Sequence, residues 1–140
     1  KKSMSQQVRF LHNTRNPRLR YTVAYSFKKD ESGNLNVSWG VAQCRSGSYA
    51  DPYSRSEGRR IAESRLHKAL SGKKPTLSNE VGEPVVPNFG TYVVTDAEGL
   101  NVGKFVANTF ETNRKVVMQA IEDGRYAAQR DLLQSLGVIL

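Results

Sequence analysis

Two alternating segments joined by a turn most constrain this chain. Leu19 to Phe27 alternates apolar residues (Leu19, Tyr21, Val23, Tyr25, Phe27) with polar or small ones. Leu35 to Gln43 alternates again, with Val37, Trp39 and Val41 on one side. A period of two is the signature of a strand with one buried face. The intervening Asp30, Ser32, Gly33 and Asn34 supply turn chemistry. The sequence thus predicts a β-hairpin. Asp51-Pro52 then opens a helix, because Asp caps free N–H groups and Pro fits the first turn. That helix is expected to run to about Leu70 and to stop at Ser71-Gly72.

The same order recurs. Leu35-Asn36-Val37 and Val41-Ala42 return, 65 residues on, as Leu100-Asn101-Val102 and Val106-Ala107. Glu57-Gly58-Arg59, with Ala62, Leu66 and Leu70, returns 66 residues on as Asp123-Gly124-Arg125, with Ala128, Leu132 and Leu136. Repeats at fixed spacing signal repeated supersecondary units. The expected organisation is one domain over 1–140. A first ββα unit spans 15–72, a connector with Pro75, Pro84 and Pro87 spans 73–89, and a second ββα unit spans 90–140. In the second unit, 91–95 is read as a strand, 96–99 as a turn and 101–107 as a strand. A helix from about Thr112 to Leu136 follows, which Gly124 bends or splits. The fold class is α+β, an antiparallel sheet with two helices on one face.

Charge separates the halves. The net charge is +8, but residues 1–74 hold 16 Lys/Arg against 5 Asp/Glu, whereas 75–140 hold 5 against 8. A basic excess favours anionic partners. In the first helix Ile61, Ala62, Leu66, Ala69 and Leu70 form the apolar stripe. Arg65 falls inside it, so its stem is expected to lie along the core with its head outward.

Catalytic signals are few. There is no Ser/His/Asp elbow, no His-Glu-x-x-His and no Walker loop. His12, His67 and Cys44 lack metal-ligand spacing, and a lone Cys44 fits a reducing cytoplasm. The expectation is a binding protein, not an enzyme, with neither cofactor nor metal. No apolar run reaches the roughly 20 residues of a membrane span.

The expected ligand is single-stranded nucleic acid. Phosphates would meet Arg15, Arg18, Arg20, Lys28, Arg45, Arg55, Arg59 and Arg60, since arginine pairs bidentately with phosphate. Bases would stack on some of Tyr21, Tyr25, Tyr49 and Tyr53. Two readings of the apolar hairpin face stay open: a helix-covered core, or an exposed stacking platform. One chain offers a short footprint, so a homo-oligomer is expected. The alternatives are an inhibitor or cofactor seated on an acidic host-protein surface, and a sponge for a small nucleotide signal.

The basic hairpin (Arg15 to Lys29), the Asp51-Pro52-Tyr53…Glu57-Gly58-Arg59-Arg60 helix start and the lone Cys44 look like a phage-encoded product. In size, charge and general character the whole chain resembles the Drc type, small single-stranded-DNA-binding cofactors of RNA polymerase in lytic podoviruses. The resemblance implies single-stranded DNA binding, a homo-oligomer, an RNA polymerase partner and a role in phage transcription in the host cytoplasm.

Overall fold

A computed structural model describes residues 7–16, 19–44 and 55–135. The elements run β1 (Arg9–Asn16), β2 (Leu19–Lys29), β3 (Leu35–Cys44), α1 (Arg55–Leu70), β4 (Phe89–Val94) and α2 (Val102–Ser135). The four strands form one antiparallel sheet in the order β1-β2-β3-β4. The class is α+β, as the sequence predicts.

The β2–β3 hairpin forms where the alternation places it, in a register that pairs Tyr25 with Trp39 and Lys29 with Leu35. Its loop closes through Asp30, whose carbonyl accepts from Gly33 N–H (3.1 Å) and whose Oδ1 accepts from Asn34 N–H (2.9 Å). Gly33 sits at φ +86°, a region that costs glycine little. At the end of α1, Gly72 (φ +85°) makes the left-handed stop. Gly72 N–H donates to Ala69 C=O and Lys73 N–H to Lys68 C=O, a Schellman closure of the last turn.

Three expectations are corrected. First, β1 precedes the predicted hairpin, so the first unit is βββα. Its Phe10 and His12 pair with Ala24 and Thr22. Second, residues 101–107 are not a strand. Asn101 caps a helix, accepting from Lys104 N–H at its side-chain Oδ1 (3.1 Å) and from Phe105 N–H at its carbonyl (2.9 Å). Val102, Val106 and Phe110 are buried at intervals of four, a helical period. The second half is therefore βα, and the tandem ββα pattern does not hold. Third, the two helices do not share a face: α1 and the first turn of α2 meet opposite faces of the sheet. The α1 side carries Phe10, Ala24, Gly40 and Ala42; Ala24 and Ala42 cluster with Ala62 and Leu66, and Phe10 packs against that cluster. The other side carries Tyr25, Trp39 and Tyr92. It meets the start of α2, where Gly103 faces Tyr25 and the Phe105 ring meets Tyr92 edge-on at 5.6 Å.

The chain divides into two compact units, 1–75 with 87–108 and 76–86 with 109–140. In the first, α1 packs across β2, β3 and β4. It buries Gly58, Ala62, Leu66 and Ala69, while Leu70 at its end is exposed. The approach is closest at Gly40, where an added Cβ would strike Leu66 N and Ala62 O and stand 2.7 Å from Arg65 C. In the second unit, the proline-bearing connector forms a tight turn organised by Asn79. The Asn79 side-chain oxygen accepts from Val81 N–H (3.0 Å) and Glu83 N–H (2.9 Å), beside a Ser78–Pro84 bridge. In α2, Gly124 does not break the helix, which is continuous from 102 to 135.

Gly40→Ala is expected to lower stability by about 3 kcal/mol in urea unfolding, because its Cβ meets backbone that can only move by lifting the helix. Gly124 has open space around it. Gly124→Ala should raise helical circular dichroism and stabilise α2 by about 0.5–1 kcal/mol.

Candidate nucleic-acid interface

The amino end of α1 brings cations to the β1 edge of the sheet. Helical spacing puts Arg55 and Arg59 one turn apart on one face. Both are exposed, and neither is in an ion pair among the described residues. The Arg59 guanidinium lies over the Phe10 ring, 4.5 Å from its centroid. Such a stack holds the cation without neutralising it. Phe10 itself packs on the Ala24, Ala42, Ala62, Leu66 cluster.

His12 lies two residues along β1 on the same face as Phe10, and its Nδ1 is 2.8 Å from Thr22 Oγ1. Burial first, then the positive charges of Arg55 and Arg59, hold its imidazole below the usual 6.5. Like charges thus crowd this corner. The nearby carboxylate, Glu57, is paired with Arg60 by two guanidinium contacts. The Arg60 hydrogen bond holds the Glu57 carboxyl below its ordinary range. Among the described residues Arg60 is therefore the arginine of this turn with a fixed counter-charge, and its candidacy as a phosphate ligand is weakened accordingly.

The remaining expected residues disperse. Arg20 is on the same face of β2 as Thr22, half-buried, with its Nε buried and without a hydrogen-bond partner among the described residues. Lys28, eight residues along β2, is about 27 Å away by strand rise. It lies at the other end of the face, beside Ala69, Leu70 and Gly72. Arg15 lies near the end of β1. Arg18, Arg45, Tyr49 and Tyr53 lie outside the described residues.

Tyr21 is corrected: only 1% exposed, its ring belongs to the core and offers no face to a base. With Val23, Val37, Trp39 and Val41 also buried, the apolar hairpin face is a core and not an open platform. Tyr25 is half-buried on the side opposite α1, where its Oη would stand 2.6 Å from a Cβ at Gly103. It does not share a surface with Arg55 and Arg59.

Phe10 and His12 are the residues that sequence reasoning missed. The signal was present in Val8, Phe10 and His12, a short alternation ahead of Pro17. Arg65 departs from the solvent-facing role expected of its head: Nη1 donates to Val41 C=O at 2.7 Å, just past the last β3 residue paired with β4.

No family model, curated protein or solved structure shows significant similarity to the chain. Among the described residues no helix is long and apolar enough to cross a membrane.

A base held below its unfolded pKa takes up its proton less readily in the folded state. The His12 contribution to stability is therefore complete above pH 6.5 and is lost as the pH falls from 6.5 through the lower folded value. An NMR titration should find the His12 imidazole titrating below 6.5, and Arg59→Ala should move it back toward that value.

Proposed function

We propose that the first unit binds single-stranded DNA without catalysing a reaction, using the corner where the amino end of α1 meets the β1 edge. The observation that carries this reading is the pair Arg55 and Arg59, exposed, without carboxylate partners among the described residues, one of them stacked on Phe10. Unpaired arginines attract phosphate and grip it bidentately. A guanidinium plane resting on an aromatic ring also offers its outer face for a base to stack on. Arg20 extends the positive surface along the same side of the sheet. Stacking requires unpaired, splayed bases, which favours a single strand over a duplex, and neither stacking nor phosphate contact reads sequence strongly.

The +8 net charge adds long-range attraction to any polyanion. The resemblance to Drc-type proteins extends the proposal to a homo-oligomeric cofactor of RNA polymerase in an infected bacterial cytoplasm.

Fluorescence anisotropy with labelled oligo-dT, oligo-U and a duplex at two salt concentrations tests the reading. Oligo-dT should bind most tightly, with strong salt dependence. Arg55→Ala with Arg59→Ala should reduce the salt slope by roughly 1.4, at about 0.7 per lost phosphate contact on a single strand. Lys104→Ala, on α2, should leave it unchanged. Equal weak binding to all three probes, or an unchanged slope in the double variant, would overturn the proposal.

A further inference from the structure

The side of the sheet opposite α1 holds an open cleft of about 730 Å³ in the first unit. That volume lies within the range of small-molecule sites. Its walls come from the ends of β1 and β2, the loop before α2 and the first turn of α2. Two aromatic rings line it: Tyr25 and Phe27, with centroids 6.5 Å apart and planes 15° from parallel. Arg9 lies over Phe27 at 5.3 Å from the ring centroid. Gly103 seats the first turn of α2 against the Tyr25 hydroxyl, where any side chain would displace the ring.

Four charged groups share the lining. Arg9 and Lys29 are exposed and make no ion pair among the described residues. Asp96 and Glu98 are on the facing loop, equally exposed. This mixture narrows the ligand. A bare phosphate would gain two cations but meet two carboxylates. A purely apolar ligand would strip water from four charges without return. A molecule with a flat ring, an anionic group and hydroxyl donors answers each feature: a ring for Tyr25 and Phe27, an anion for Arg9 and Lys29, hydroxyls for the carboxylates.

We infer that the cleft binds a nucleoside monophosphate, its base against the aromatic walls, its phosphate at Arg9 and Lys29 and its sugar hydroxyls toward Asp96 and Glu98. The cleft is independent of the single-strand proposal, because it and the Arg55–Arg59 corner are on opposite faces of the sheet.

Isothermal titration of the full chain with adenosine 5′-monophosphate tests it, with adenosine and inorganic phosphate as separate probes. The monophosphate should bind at least tenfold more tightly than either fragment. Arg9→Ala and Lys29→Gln, both at exposed positions, should each weaken it about tenfold while thermal melting stays unchanged, in line with loss of one charge-assisted hydrogen bond. Arg59→Ala should leave it unaltered. Three results would each overturn the inference: no binding at millimolar monophosphate, affinity unchanged in both cleft variants, or inorganic phosphate binding as tightly as the nucleotide.

Discussion

The close approach of α1 to the sheet at Gly40 governs the layout of the first unit. A backbone-to-backbone contact needs small residues on both sides, and the sheet supplies Ala24, Gly40 and Ala42 where the helix supplies Gly58, Ala62 and Ala69. Little apolar bulk lies between these layers. Leu66 is the large fully buried side chain of this layer, with the partly buried Phe10 and Ile61 packed against its cluster. The helix is thereby held low over β2 and β3, and its first turns project toward the β1 edge. Arg59 reaches Phe10 because the helix sits that close. The Arg65 hydrogen bond to Val41 reinforces the seat, satisfying a carbonyl that has passed beyond the reach of β4.

The two faces of the sheet differ in kind. The α1 face is small and tightly layered. The other face is large and aromatic, with Trp39 stacked on Tyr92 at 5.7 Å and Tyr92 meeting Phe105 edge-on. Strand alternation alone produces the division, since neighbouring residues on β2 and β3 serve opposite layers. It also separates the charged sites. Arg9 and Phe10 are adjacent in sequence, yet Arg9 serves the aromatic cleft and Phe10 the arginine corner.

The central hairpin, the helix α1 and its glycine stop were legible because each rests on local chemistry: period-two alternation, an Asp–Gly–Asn turn, a left-handed glycine. The strand β1 was hidden by its polar residues, which read as a basic lead-in. Residues 101–107 were misread because their likeness to 35–42 outweighed the capping asparagine and the fourfold spacing of Val102, Val106 and Phe110. Both sequences place apolar residues in similar order, and only the partners available in space decide between strand and helix. At the candidate interface, Arg55 and Arg59 were legible as two of the cations clustered at the start of the first helix. Phe10 and His12 were not, since the edge strand carrying them was unrecognised. Alternation puts Tyr21 and Tyr25 on one hairpin face but leaves open whether that face is a core or a stacking platform, and burial of Tyr21, Val23, Val37, Trp39 and Val41 decides for the core.

An amide chemical-shift titration of the full chain with oligo-dT probes the arginine corner residue by residue. Binding there predicts shifts confined to residues 8–12, to the segment around Arg20 and to the first turns of α1 at 55–60, with the loop at 96–101 and the first turn of α2 unmoved. Shifts centred instead on that loop and on Tyr25 and Phe27, with the Arg55–Arg59 turn silent, would contradict the assignment of the single-strand site to this corner.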